Sequence, residues 1–214
     1  QRPPQPGYHL NHDRADEAIA AIQGRYSAPE QRPLLLYWAT STAHAPHHAP
    51  ADWIARYRGK FDMGWDKMRQ EVLWREKKQG VVSASAELAR RPDTGAAWDS
   101  LSSDQKRLYA RQMEVFAGAL SHADSQFGRI LDALKASGEL DNTIIIVTSD
   151  NGASAEIMMR GDGHNPEAPA GSAETFLCLG PGWSTACNAP MRRHKTWNHE
   201  GGIATPLVAH WPAG

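Results

Sequence analysis

The most strongly apolar stretch of the chain covers residues 144–147, where four β-branched side chains follow one another. Continuous runs of this kind are typical of strands that are buried on both faces in a parallel sheet. Two other short apolar runs, at residues 34–39 and 206–211, predict two further strands.

Apolar residues at helical spacing predict four helices, over residues 15–26, 52–57, 64–78 and 103–137. Asp13 is the expected cap of the first helix, and Gly138 is expected to end the last. The long last helix has an apolar stripe made of Leu108, Met113, Val115, Phe116, Leu120, Phe127, Ile130, Leu131 and Leu134. Loops are predicted over residues 1–12, 80–97 and 153–182. This order of elements predicts an α/β fold with a mostly parallel sheet flanked by helices.

The 214 residues suffice for one large domain or for part of a larger one. A formal net charge of -1 gives no electrostatic reason to expect a nucleic acid or an anionic membrane as partner. No apolar stretch approaches the length of a membrane span. The chain begins at Gln1 without a Met and stops directly after a strand-like run, so we expect an internal piece of a longer protein.

Asp150-Asn151-Gly152 directly follows the most apolar strand. Open α/β sheets place their ligands at the carboxyl ends of strands, which is where this pair is expected to lie. One carboxylate and one amide carbonyl are hard oxygen donors suited to Ca²⁺ or Mg²⁺. The alternative is an ordinary Asn-Gly turn after a core strand.

A second cluster, Thr42-Ala43-His44-Ala45-Pro46-His47-His48, follows the strand predicted at residues 34–39. Parallel strands would bring this loop to the same edge as Asp150. An imidazole beside an oxyanion can donate a hydrogen bond or a proton. The alternatives are a solvated loop or a zinc site, although no Cys or spaced His completes the latter.

The third cluster is the basic stretch at residues 192–202, which ends in His199-Glu200-Gly201-Gly202. A basic run beside a Gly-Gly turn suits recognition of a compact dianion such as sulfate or phosphate. The alternative is a basic surface loop. With the metal pair and the imidazole, these groups suit cleavage of an anionic ester. However, the chain has no Gly-x-Ser-x-Gly nucleophile elbow and no Walker phosphate loop.

Several motifs, in this order and spacing, closely resemble the sulfatase family, and specifically bacterial arylsulfatases within the alkaline-phosphatase-like superfamily. The resemblance runs over essentially the whole chain. It implies an alkaline-phosphatase-like fold, with residues 1–214 as the C-terminal portion of a sulfatase catalytic domain. The matching stretches are residues 43–50, 57–65, 107–115, 149–154 and 195–202.

The resemblance also implies a reaction and residue roles. Enzymes of this kind hydrolyse sulfate esters of small molecules or carbohydrates with a formylglycine and a bound Ca²⁺. Asp150 and Asn151 match calcium ligands of the family. His44 matches the His that touches the sulfate or the leaving oxygen, and Lys195 matches the Lys that holds a sulfate oxygen. The family further implies a periplasmic or secreted location.

The chain departs from the family pattern in its nucleophile and its metal ligands. The formylglycine motif and the opening Asp-Asp calcium pair are absent. Cys187-Asn188-Ala189-Pro190-Met191 comes near that motif, but Met191 stands where an Arg is needed. We therefore expect the N-terminal part of the domain, with its nucleophile, to lie outside this chain.

Two other functions stay open from the sequence. One is a phosphate or phosphonate ester hydrolase of the same superfamily, and the other is a catalytically inactive, truncated module. If the sulfatase interpretation is right, the side chains of His44, Asp150, Asn151 and Lys195 should lie within roughly 10 Å of a common point, the scale of a small-molecule pocket.

Overall fold

A computed structural model describes residues 7–26, 32–92, 95–157 and 163–214 of the chain. Helices account for most of the regular structure in these ranges. The elements are α1 (Leu10–Tyr26), α2 (Ala51–Ala55), α3 (Gly64–Gln79), a 3₁₀ helix (Trp98–Ser100), α4 (Ser103–Ala136), β1 (Ile145–Thr148), α5 (Gly180–Cys187), α6 (Glu200–Ile203) and β2 (Leu207–His210).

Helix α4 is the longest element, and its bounds agree with the prediction to within one residue. Its start is fixed by a capping box, in which the Ser102 side chain accepts from the Gln105 N–H and the Gln105 side chain accepts from the Ser102 N–H. Its end is marked by Gly138, whose φ of +77° is the left-handed conformation that glycine adopts without strain. Local signals therefore determine this helix.

Three of the other helices pack against α4 or against α5. Helices α1 and α2 lie against α4, and α3 lies against α5. Trp183 of α5 is fully buried and meets the rings of Trp65 and Trp98 edge-on or tilted, at 5.6 and 5.7 Å between ring centroids. This aromatic group is the centre of the largest core cluster, and aromatic pairs at such distances add to the stability from burial.

Helix α1 begins at Leu10, five residues earlier than predicted, and the predicted loop over residues 1–12 is wrong for its last three residues. Asp13 lies within the first turn instead of capping it, and its carboxylate accepts from the Tyr8 hydroxyl at 3.3 Å. Asn11 and Asp13 of the early turn are buried, and the Asn11 amide donates to the Thr42 hydroxyl at 2.9 Å. A count of apolar positions cannot detect a turn that is held by polar contacts.

Three further elements differ from the prediction. Helix α2 ends at Ala55, two residues earlier than expected. Helix α5 and the short α6 arise in segments for which no helix was predicted. The Gly and Pro residues at the start of α5 hide its helical pattern, although a Pro in the first turn is compatible with a helix.

The mostly parallel sheet is the main correction to the predicted fold. Within the described residues the sheet has two strands, β1 and β2, which pair antiparallel with Ile145 opposite His210 and Thr148 opposite Leu207. Both strands are largely exposed, so β1 is not buried on two faces as predicted. An apolar run favours a buried strand. However, the strand with which it pairs, and the extent of its burial, depend on the other elements that cover it.

The strand predicted at residues 34–39 is also not formed. The segment has no regular structure, and Leu35 and Tyr37 are 94% and 89% exposed. Trp38 of this segment stacks on Phe127 of α4 with 6.0 Å between ring centroids, and the Ala39 carbonyl accepts from the Arg14 side chain. Across the described ranges, no helix is both long and apolar enough to span a bilayer.

We predict that Trp183→Ala will lower the free energy of unfolding by about 3–5 kcal/mol, the usual loss when a buried Trp leaves a cavity. Trp183 is fully buried, and its Nε1 donates to the Tyr109 carbonyl at 2.7 Å. Trp74→Ala is the matched control, because Trp74 is 61% exposed. Denaturant titration should show a large shift for the first variant only, and equal shifts would mean that this cluster is not the core.

Candidate functional site

The segment at residues 149–156 leaves the end of β1 and carries the predicted metal pair. Asp150 is exposed and Asn151 is half-buried. Within the described part of the chain, the side-chain oxygens of both residues are without a hydrogen-bond or ion-pair partner. The Ser149 hydroxyl donates to the Asn151 carbonyl at 2.9 Å, which shapes the turn. The side-chain oxygens of Asp150 and Asn151 are therefore free to bind a ligand.

Lys195 is joined to this segment through its main chain. Its N–H donates to the Ala153 carbonyl at 3.1 Å. Ala153 is also held by the side chain of Asn188, whose Oδ1 accepts from the Ala153 N–H at 2.8 Å and whose Nδ2 donates to the Ala153 carbonyl at 3.3 Å. The main chain of Lys195 thus lies next to Ala153, which follows Asp150 and Asn151 in the same segment.

Glycines allow the two backbones to approach closely at this junction. The Gly152 N–H donates to the Gly202 carbonyl at 3.0 Å. A Cβ on Gly152 would lie 1.9 Å from the Gly201 carbonyl oxygen, and one on Gly202 would lie 2.2 Å from the Trp197 carbonyl oxygen. Side chains at these positions are therefore excluded by sterics, which gives the Gly-Gly pair of the sequence a structural reason.

The three histidines of the 42–48 loop have different environments. His47 is buried. Its main-chain N–H donates to the Leu177 carbonyl at 3.0 Å, and its ring Nε2 lies 3.2 Å from the Ala43 carbonyl. His48 Nε2 lies 2.8 Å from the Thr175 carbonyl. Both rings hold the loop in place. His44 is the exposed member of the three and is the one available to a ligand.

The His44 ring is oriented by two contacts. Its Nδ1 lies 2.7 Å from the Ala45 carbonyl, so Nδ1 carries the hydrogen of that bond. Its Nε2 lies 3.8 Å from Glu156 Oε1. Because Glu156 belongs to the segment that begins with the metal pair, the structure links His44 to one end of this segment and Lys195 to its middle.

The basic stretch around Lys195 is tightly turned. Arg193 and Thr196 adopt φ angles of 70° and 80°, which non-glycine residues rarely do. The Arg193 guanidinium lies 4.3 Å from the centre of the Trp197 ring, a cation–π contact. The half-buried Lys195 ammonium has no carboxylate partner among the described residues, so its charge is available to an anion.

A cavity of about 250 Å³ opens beside Glu156. Its walls are largely apolar and aromatic, and they include Trp65, Tyr109 and Leu179. Glu156 lines this cavity and also meets His44, so one residue connects the cavity with the candidate catalytic imidazole.

Cys187, the residue that comes near the nucleophile motif, lies at the end of α5 and packs against the core. Burial raises the pKa of its thiol to about 12. A thiol that stays protonated near neutral pH is a poor nucleophile. The structure therefore agrees with the sequence argument against Cys187.

The donor set of the metal pair fits part of a Ca²⁺ site. Asp150 and Asn151 offer at most three hard side-chain oxygens, whereas Ca²⁺ takes six to eight. In the ranges that the structure describes, no group of three or more His, Cys, Asp or Glu is arranged to hold a metal. These two residues can therefore supply part of a calcium shell but not all of it.

Sequence reasoning missed two residues of this arrangement, Asn188 and Glu156. Asn188 was visible only as a neighbour of Cys187 in an imperfect motif. Glu156 lies in a stretch predicted as loop, six residues after Asp150. Sequence spacing predicts neither role, because both residues act through contacts with residues distant in the chain.

Comparison with known proteins identifies the class. The family profile described as Sulfatase matches residues 1–214, and the chain belongs to the sulfatase family. An uncharacterized sulfatase of Schizosaccharomyces pombe is 30% identical over 97% of this chain and 42% of its own length. An arylsulfatase of Klebsiella aerogenes is 27% identical over 87% of this chain and 42% of its own length. The chain thus spans less than half of these relatives.

Solved structures support the fold. The protein Ps i-CgsB, in complex with k-i-k-neocarrahexaose, superposes over 96% of this chain and 28% of its own length, with a TM-score of 0.53 and 18% identity. The candidate sulfatase yidJ of Bacteroides fragilis covers 95% of this chain and 31% of its own length, with a TM-score of 0.54 and 18% identity. At this identity the likeness shows the fold alone.

We predict that Gly152→Ala will destabilise the protein by about 1–3 kcal/mol, the range for an overpacked position. The reason is the 1.9 Å approach of the added Cβ to the Gly201 carbonyl oxygen. Gly128→Ala is the control, since a Cβ there meets nothing within 4 Å and Ala favours the helix. Thermal unfolding should separate the two variants, and a neutral Gly152→Ala would contradict the close junction.

We also predict that the protein loses stability as the pH falls from about 6.5 to about 4. Burial lowers the pKa of His47 from 6.5 to about 4. Between these pH values His47 is protonated in the unfolded chain but neutral in the folded chain. The contribution of neutral His47 to the free energy of unfolding is therefore complete above pH 6.5 and is lost on acidification. His47→Gln should flatten the pH dependence of the denaturation midpoint, whereas His210→Gln, at an exposed position, should not. Parallel curves for wild type and His47→Gln would refute it.

Proposed function

We propose that the protein is a sulfuric ester hydrolase of the arylsulfatase type, and that this chain carries part of its catalytic site. The supporting observation is that one short segment, residues 150–156, meets both the Lys195 main chain and the His44 ring. This segment includes one of the clusters predicted from sequence and contacts the other two, in a chain that belongs to the sulfatase family.

In this proposal the charged groups act on the sulfate. The Lys195 ammonium binds a non-bridging sulfate oxygen and stabilises the negative charge that develops there. The His44 ring holds its Nδ1 hydrogen on the Ala45 carbonyl, which leaves Nε2 to exchange a proton with the leaving oxygen. Glu156 Oε1 lies 3.8 Å from that nitrogen.

Asp150 and Asn151 would hold one side of a bound Ca²⁺. The ion would supply a Lewis acid that polarises a sulfate oxygen. The remaining oxygen ligands and the formylglycine nucleophile would come from outside this chain.

The apolar cavity beside Glu156 supports an aryl leaving group. Aromatic and aliphatic walls favour a ring over a heavily hydroxylated sugar, because they gain from apolar burial and offer few hydrogen bonds. A carbohydrate sulfate ester is the other substrate class that the family implies. Comparison of an aryl sulfate with a sulfated sugar would decide between them.

The direct test is hydrolysis of p-nitrophenyl sulfate by the full-length protein. We expect Ca²⁺-dependent turnover, with a loss in kcat/KM of at least about 100-fold for Lys195→Ala, on the scale of a lost transition-state contact. Lys135→Ala, in the last turn of α4, is the control and should match wild type. Turnover of p-nitrophenyl phosphate but not of the sulfate would favour a phosphate ester hydrolase.

The isolated chain should show no sulfatase turnover, because the covalent nucleophile is missing. Its Ca²⁺ affinity should be weak, on the order of millimolar, since two protein ligands form a poorly preorganised site. Calorimetry and an aryl sulfate assay would check both points. Hydrolysis that scales with the amount of chain and vanishes in Cys187→Ala would contradict the first, and micromolar binding would contradict the second.

A further inference from the structure

Asn188 occupies a position that is rigid for reasons independent of the candidate site. It follows α5 directly, and its N–H donates to the Ser184 carbonyl at 3.1 Å. Helix α5 is anchored in the core through the fully buried Trp183 and Ala186. The main chain of Asn188 is therefore attached to the best-packed part of the molecule.

The Asn188 side chain uses both of its polar atoms on one residue. It accepts from the Ala153 N–H at 2.8 Å and donates to the Ala153 carbonyl at 3.3 Å. This pair of bonds requires a donor and an acceptor on one short side chain. Asp has no donor, and Gln places its amide one methylene farther away, so neither can replace it without a shift.

Ala153 connects this anchor to the functional groups. Its carbonyl accepts a second bond, from the Lys195 N–H at 3.1 Å, and the adjacent Gly152 N–H donates to the Gly202 carbonyl. Asp150 and Asn151 precede Ala153 by three and two residues. On the other side β1 ends at Thr148 in a largely exposed strand, and the Ser149 carbonyl accepts from the Thr205 hydroxyl at 2.8 Å, so Ala153 is the support of the pair that is tied to the core.

We infer that Asn188 is a positioning residue that fixes the separation between Asp150-Asn151 and Lys195. The inference rests on the proposed function, because it assigns Asn188 to the same site. Loss of its side chain would remove two of the hydrogen bonds that hold Ala153. The metal pair could then move relative to the lysine. Such a change should weaken the use of Ca²⁺ and of sulfate together.

The test compares wild type, Asn188→Ala and Asn188→Asp in the full-length protein, with Asn142→Ala as an exposed control far along the chain. We expect both Asn188 variants to raise the Ca²⁺ concentration for half-maximal activity and the KM, each by roughly tenfold, the scale of one or two lost hydrogen bonds. Asn142→Ala should behave as wild type. If Asn188 had a merely structural role, its replacement would lower the unfolding temperature. The KM and the Ca²⁺ concentration for half-maximal activity would then stay unchanged in the folded fraction.

Hydrogen exchange gives a readout that does not need activity. The Ala153 and Lys195 amides should exchange faster in Asn188→Ala than in wild type, whereas amides in the middle of α4 should not change. Unchanged exchange, or an unchanged Ca²⁺ requirement in an active enzyme, would overturn the inference. A wild-type protein without sulfatase activity would instead overturn the proposed function, whatever the exchange data show.

Discussion

The candidate site depends on one main-chain junction, at which residues 152–153 meet residues 195–202. Two backbone hydrogen bonds, from Gly152 to Gly202 and from Lys195 to Ala153, join the segments. Glycines at positions 152, 201 and 202 permit the approach, since a Cβ at any of them would overlap a carbonyl oxygen. The contact is made by main-chain atoms, so it does not use the side chains of the neighbouring residues, and these can face a ligand.

The junction gains its rigidity from the core. Trp183 and its neighbours fix α5, α5 fixes Asn188, and Asn188 holds Ala153 through two hydrogen bonds. Each such bond contributes only about 1 kcal/mol net, but in combination they restrict the segment to one arrangement. Packing energy in the aromatic cluster is thus linked by a short chain of contacts to the geometry of polar groups at the surface.

The opposite side of the site is less supported. Strands β1 and β2 pair with each other, yet Ile146, Leu207 and Val208 are more than half exposed. Asp150 therefore follows an element with little packing of its own. On this side the Ser149 carbonyl accepts from the Thr205 hydroxyl at 2.8 Å, whereas the contact that leads to the core comes from Asn188, directly after α5.

The predicted positions of α3 and α4 were confirmed almost to the residue, because helical periodicity and the Ser102 capping box are local signals. Motif order also predicted the sulfatase family, which the family match confirms. The roles of His44, Asp150, Asn151 and Lys195 stay predictions. These inferences need only residue types and their spacing, which the sequence states directly.

The sequence by itself determined the sulfatase family and where α3 and α4 begin and end. Only the tertiary structure decided that β1 pairs antiparallel with β2, that residues 34–39 form no strand, and that Asn188 and Glu156 join the site. The physical reason is that strand pairing, burial and side-chain contacts are made between residues far apart in the chain. Their partners are chosen by packing and not by local pattern.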